Sequence, residues 1–574
     1  MSKKTPIIEK KKQKALTTEL AALIKDTCSI SGKDTLNLIL ENSHPRQLVH
    51  SLPYEDFFWL LKRVGKEDCI PLLSLASENQ WQYILDLELW TKDRINIKET
   101  SEWIERLLHA DPQRLAKWLF DKGIFLAFHY LFNNLQIEIV DKNDEYFLKE
   151  DFFTLDGVFY IRIIDKKYKE SIEGILRILA AEDSGKYQSL LISLAGLIPA
   201  ENEEEMYRLK NMRLAEHGFL PFEEAIAVYS PLKTEHLQLE RAGKTISELP
   251  DEDLRELIPI SPLHHAIGKN ILSEAVSEIF DNIILDRLRL EFAGLCNQII
   301  SADEFSVDEF DTLVKICRKA AGYINIALEK TCKSDVSQAV NLLKNNPLVS
   351  VFRAGFGQAL ELKWEAERLV KDSWFYNYGL DFSFWGELLG ETLTALLKKR
   401  PGYFSGTKEG EQYRDFEDIS DLDNCRRVIN RLSALDNLFK GLTVIYPLDK
   451  KMVKDFHLTF QPLILNLWAR DFLKLEPCFS GLTPVLAKNL LNLLRKGDSA
   501  PPYKMAGFEN IFVSFFLKFS REDMPEDRLA LKDALSMIWK DFSNEFEWTS
   551  AKELSHRFSE SIWISQESHP KEKP

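Results

Sequence analysis

At 574 residues, with 45% hydrophobic and 28% charged residues, the chain has the composition of a globular protein able to bury more than one core. Its formal charge of −15 and pI near 5.4 exclude nucleic acid as a main partner, because phosphate backbones are gripped by clustered Lys and Arg. Gly (24) and Pro (22) are scarce for this length, which disfavours a turn-dense β fold and favours long helices with short punctuation.

The N-terminal stretch MSKKTPIIEKKKQK carries six lysines against one glutamate, a basic leader on an acidic body. It runs into KALTTELAALIKDT, an amphipathic helix pattern without the apolar core of a secretory signal. No stretch reaches the ~18 to 20 apolar residues of a membrane span. LLISLAGLIPA (Leu190 to Ala200) comes nearest and ends in Pro-Ala. The expected location is therefore the cytoplasm. Cysteines at 28, 69, 296, 317, 332, 425 and 478 show no Cys-x-x-Cys spacing, so reduced, mostly buried thiols are expected and no zinc site.

Short helix modules then begin at SLPYEDFFWLL (Ser51 to Leu61). Pro53 suits the first helical position, Glu55 and Asp56 suit the positive end of the helix dipole, and Phe57, Leu60 and Leu61 form an i, i+3, i+4 stripe. Gly65 ends that helix and a second runs through Leu72 and Leu73. Ser77 and Gln80 have capping-box spacing before Trp81, Ile84 and Leu85, and Asp111-Pro112 opens a further helix through Leu115, Trp118 and Leu119. Modules this short must stack to bury their apolar faces. Trp59, Trp81, Trp90, Trp103 and Trp118 are expected to fill the gaps between them. ELPDEDLRELI (Glu248 to Ile258) partly repeats the Leu-Pro-acid opening.

DKNDE (Asp141 to Glu145) imitates the start of a calcium loop, but Tyr146 stands where glycine is required and Phe152 where the bidentate glutamate belongs. FFTLDGVFYIRI (Phe152 to Ile163) places Asp-Gly between two β-rich runs, the signal of a two-residue hairpin. Beyond it lies EEEMYRLKNMRLAEHGFLPFEEAIAVYSPL (Glu203 to Leu232). There Arg213 falls between Met206 and Leu209 on the apolar face, with Glu216 as its nearest partner in sequence. Two readings follow: a structural ion pair, or an anion pocket built on Arg208, Asn211 and Arg213. His264 and His265 open a helix about 100° apart around its axis, so they do not share a metal as an i, i+4 pair can.

In the second half, Ile271 to Ile300 reads as one helix, Ser306 to Glu309 as a capping box, and Asn346-Pro347 as the start of a helix through Leu369. Aromatics cluster over Trp374 to Glu391, and Arg400 to Asp418 reads as a loop. Helices are expected over 421–440, 453–475, 484–495, 511–518 and 527–542, then a frayed tail. Phosphate-loop, zinc-helix and nucleophile-turn motifs are missing. Gly355-Phe356-Gly357 begins a dinucleotide fingerprint that Leu360 breaks.

Residues 51–90 and 207–232 resemble the two signature regions of an uncharacterised bacterial family associated with sulfate- and metal-reducing bacteria, over nearly the whole chain. That resemblance implies no assigned activity and no catalytic residues. More distantly, His44 to Leu119 is similar to the cytosolic N-terminal superhelix of bacterial magnesium transporters and to flagellar motor-switch segments. This implies regulated helical packing.

The expected fold is all-α, a short-helix superhelical array followed by a larger multi-helix body, with one small β-hairpin near 152–163. Its expected segments are a basic tail and leading helix (1–43), the array (44–140), a hairpin plus helical middle domain (141–262), a long-helix bundle (263–400), a C-terminal helical domain (401–562) and a tail (563–574). The expected function is a non-catalytic scaffold or regulatory protein with a protein partner and without cofactor or metal. One alternative is an enzyme or small-molecule binder with a pocket near Arg208, Asn211, Arg213, Glu216, His264 and His265. Another is a divalent-ion regulator using Glu55, Asp56, Asp251, Glu252 and Asp253.

Overall fold

The computed structural model describes residues 30–139, 151–194, 199–239, 258–266, 268–305, 307, 309–406, 411–495, 501–503, 505–520, 525–549 and 559–565. The basic leader, DKNDE, the acids at 251–253 and residues 566–574 lie outside them, whereas 563–565, expected to belong to the frayed tail, are held by hydrogen bonds between Leu482 and Trp563 and Ser565. The described residues are mainly helical, with three small antiparallel sheets, and the chain divides into two compact units, 1–355 and 356–574. No helix among them is long and apolar enough to cross a membrane.

In the first unit the short modules form as their caps require. Pro53 caps the Tyr54–Val64 helix from just outside it, and Gly65 follows at φ +93°. The Ser77 and Gln80 capping box is complete at the start of the Glu78–Glu88 helix, and Asp111 accepts the Arg114 N–H before the Pro112–Leu119 helix. Neighbouring modules are joined by long polar side chains that reach carbonyls at and just beyond helix ends. Gln80 donates to the Val49 and Leu52 carbonyls at 2.8 and 3.1 Å. Arg114 donates to those of Leu73 (3.1 Å), Ser74 (3.0 Å) and Ala76, with its guanidinium 4.1 Å from the Trp81 ring centroid. Four last-turn carbonyls of every helix lack an intrahelical donor, so such links join modules while satisfying them. Trp81, Trp103 and Trp118 are fully buried.

Several expectations are corrected. The hairpin expected near 152–163 forms, but its loop is longer than two residues. Thr154 pairs with Tyr160, and Asp156 Oδ1 accepts the Val158 and Phe159 N–H groups at 3.0 Å across a longer turn in which Gly157 has φ +75°. Its second strand, Phe159–Ile163, also pairs with Leu135–Ile139, so the sheet has three strands. That third strand follows directly on the Ile124–Asn134 helix, and its five residues are too few for a period-2 pattern to stand out. The segment 271–300 contains two helices, Ile271–Ser277 and Asn282–Asp303, the second capped by Asp281. Glu309 is the residue preceding the Phe310–Cys332 helix, which rules out its role inside a capping box; Ser306 lies outside the described residues.

The Gly-x-Gly motif serves packing. A Cβ on Gly355 would lie 1.8 Å from the Tyr323 carbonyl oxygen, so glycine lets the Leu348–Asp372 and Phe310–Cys332 helices touch backbone to backbone there.

The second unit is built around rings. Trp374 stacks on Phe439 at 5.2 Å, and Trp385 meets Phe375, Phe439 and Phe460. Trp468 and Trp539 meet edge to face at 5.3 Å beside Phe512. The expected loop at 400–418 contains a ladder, Tyr403–Phe404 against Tyr413–Arg414. The expected 453–475 helix is two, Lys450–Asp455 and Phe460–Phe472, with His457 at φ 49° between them.

Candidate functional site

The acids that open the Tyr54–Val64 helix are not solvated dipole partners. Glu55 is 6% exposed and Asp56 2% exposed, and each holds a different part of the first unit. Glu55 Oε1 lies 2.7 Å from His217 Nδ1, just beyond the end of the Pro199–Ala215 helix. Asp56 accepts the Ile260 N–H at 2.9 Å and the Ser261 N–H at 2.8 Å, fixing the start of the Ser261–Ala266 segment that carries His264 and His265. The sequence stretches around 55, 213 and 264 therefore converge through a helix start.

Arg213 finds its partner across the fold. Its Nε and NH2 donate to Asp86 Oδ2 and Oδ1, both at 2.7 Å, a bidentate pair in which the carboxylate is buried and the guanidinium half exposed. Glu216, the nearest acid in sequence, is exposed, and the ion pair of Arg213 is with Asp86 instead. The pairing with Asp86, 127 positions away, had no local signal.

Arg208 pairs at the surface with Glu205 at 2.6 and 2.9 Å and does not converge with Arg213. Asn211 is half-buried on the same helix. His264 is half-buried, its ring centroid 6.2 Å from that of His265. His265 stacks on Trp59 at 5.0 Å, with Phe310 edge-on at 5.3 Å.

The electrostatics follow from burial first and neighbours second. Burial raises the Asp56 carboxyl to about 6 despite its two backbone donors. Burial likewise raises Asp86, and Arg213 offsets only part of it. For His217 burial opposes the charge, but the Glu55 hydrogen bond and charge outweigh it, with Glu216 and Asp86 adding, and the imidazole is raised above its ordinary value. Burial lowers His265 to about 4, with His264, Arg63 and Arg318 acting in the same direction. Tyr83 lies within the field of Glu55, Asp56 and Asp86, and its ring centroid is 5.0 Å from that of His217. Lys210, lowered to about 8 by burial, packs its ammonium against Trp90 and Tyr207 at 4.8 and 4.6 Å.

The cavity beside this junction is small. Gln82, Asp86, Trp90, Trp118, Met206 and Arg213 help line about 40 Å³, and neither Arg208 nor His264 reaches it. Pockets for organic ligands start at roughly 300 Å³. A wider cleft of about 390 Å³ lies in the second unit between Arg368, Asp372, Asn430 and Asp436, and there Asp436 accepts the Trp374 and Phe375 N–H groups. Among the described residues no group of three or more His, Cys, Asp or Glu side chains is arranged to hold a metal.

A model described as a family of unknown function (DUF6178) matches residues 11–565. The chain belongs to that family. Both stretches that carry the family resemblance, 51–90 and 207–232, lie inside the match and contribute to the polar junction. No curated protein and no solved structure matches the chain, so the likeness to magnesium transporters gains no support from these comparisons.

Proposed function

We propose that the chain is a non-catalytic helical scaffold or regulatory interaction protein of the bacterial cytoplasm, working through a protein partner. The observation that carries this reading is that the charged groups of the junction bind one another. Glu55 is matched to His217, Asp56 to two backbone N–H groups and Asp86 to Arg213, while Arg208, outside the junction, is taken by Glu205 at the surface. Groups so matched fix the angles between short helices and leave little free for a substrate. Against a pocket at Arg208, Arg213 and His264 stand the separation of Arg208 from Arg213 and the 40 Å³ cavity. Against a divalent-ion response at Glu55 and Asp56 stands their burial against protein donors. The short, capped helices of the first unit and the acidic composition favour a platform whose exposed faces meet another protein.

Native mass spectrometry of the full chain isolated from its source cells is the test. A partner of fixed stoichiometry that survives mild cross-linking is the expected result. A monomer with no partner under the same conditions overturns the proposal.

A further inference from the structure

Two thiols beside the junction take no part in it. Cys296 on the Asn282–Asp303 helix and Cys317 on the Phe310–Cys332 helix lie with their sulfurs 3.7 Å apart. Both are buried, at 3% and 0% exposure, and among the described residues they are the one pair of cysteines in contact. We propose that Cys296 and Cys317 form a disulfide, taking a small disulfide such as glutathione disulfide as oxidant.

The geometry asks little of the fold. A disulfide bond is about 2.0 Å long, so the sulfurs must close by less than 2 Å between two helices already packed together. The chemistry is two successive exchanges. One cysteine, as thiolate, attacks a sulfur of the oxidant, forming a mixed disulfide and expelling one small thiolate. The second cysteine then gives up its proton and attacks the cysteine sulfur of that mixed disulfide, forming the Cys296–Cys317 bond and expelling the second small thiolate. Both protons end on the released small thiols, and two electrons pass from the cysteine pair to the oxidant.

Burial shapes the two steps differently. It raises the Cys317 thiol far above its ordinary value, so the first attack is slow and depends on opening of the helix pair. Once an adduct forms, the closed core has no room for a tripeptide, whereas the direct link adds no atoms. The second step is thereby favoured. The consequence reaches the junction, because Asn297, next to Cys296, donates to the His217 carbonyl at 2.7 Å. A link at Cys296 fixes the helix that carries this hydrogen bond.

The test uses the full chain incubated with glutathione disulfide, unfolded in N-ethylmaleimide, digested and analysed by mass spectrometry. Cys296 and Cys317 are expected to lose N-ethylmaleimide labelling together and to appear in one linked peptide. In Cys296→Ser that peptide is absent and Cys317 is either labelled or carries glutathione that nothing displaces; in Cys317→Ser the same holds for Cys296. In the treated wild type, full labelling of both cysteines, links from either to another cysteine, or glutathione retained on either one overturns the proposal.

Discussion

The two units solve the same packing problem with different chemistry. In the first, the helices Tyr54–Val64, Glu78–Glu88 and Pro199–Ala215 meet through buried carboxylates: Glu55 on His217, Asp86 on Arg213, and Glu88 on Lys62 and Lys66. In the second, rings gather in two clusters: Phe439 of the Ile419–Ile445 helix with Trp374 and Trp385, and Trp468, Phe512 and Trp539 of the Phe460–Phe472, Glu509–Leu517 and Pro525–Phe546 helices with one another. Rings supply area and are indifferent to pH. Buried charges supply little net stability but penalise every wrong partner, so they specify which short helix end meets which.

That contrast can be broken by substitution. Trp539→Ala is expected to cost about 3 to 5 kcal/mol, the range for emptying a buried aromatic site, with the same loss at acid and neutral pH. Denaturant unfolding at two pH values measures it. Arg213→Ala is expected to cost about 2 kcal/mol, less than the ~3 to 5 kcal/mol of a fully buried pair because its side chain is 43% exposed. The cost should shrink as pH is lowered and the stranded Asp86 takes a proton; an equal loss at all pH values would show that Asp86 does not depend on Arg213.

Two groups give the first unit opposed pH responses. Asp56, at about 6 against an ordinary 3.8, binds its proton more tightly folded, so its contribution to stability falls as pH rises from 3.8 through 6. His265, at about 4 against 6.5, is protonated first in the unfolded chain, so stability is lost as pH falls from 6.5 toward 4. Their slopes oppose each other in the wild type. Asp56→Asn is expected to leave stability rising with pH across that window, and His265→Phe to leave it falling, as read from urea midpoints. His217, raised above 6.5, adds a loss only at higher pH. The smallest effect belongs to Arg208→Ala, for which no resolvable change in melting temperature is expected, since its pair with Glu205 is exposed to solvent and screened by salt. A calorimetric scan at high and low salt checks it.

Much of the local architecture was legible because its causes are local. The Ser77 and Gln80 capping box, the Asp111 cap and the Gly65 stop each depend on residues within a turn of one another. Tryptophan burial at 81, 103 and 118 followed from the need of short modules to fill the gaps between them. Failures came where a partner is remote or a pattern brief. The strand Leu135–Ile139 is too short to show its period, and the break at 278–281 lies inside a run of helix-compatible residues. Within the candidate site, Arg213 could be singled out from its place on an apolar face, but His217 and Asp86 had no such mark. The acids at 55 and 56 were visible only in their local role, as favourable charges at a helix start.

The sequence by itself determined the helical class, the caps and stop at Ser77, Asp111 and Gly65 and the family to which the chain belongs. These rest on periodicity, caps and composition, which are properties of neighbouring residues. Only the tertiary structure decided that Glu55 and Asp56 turn inward, that Asp86 receives Arg213, that Gly355 is a notch for Tyr323 and that Cys296 meets Cys317. The physical reason is that the helix dipole favours a carboxylate at a helix start whether water or a protein donor faces it. Which of the two it meets depends on chain that arrives from more than a hundred residues away.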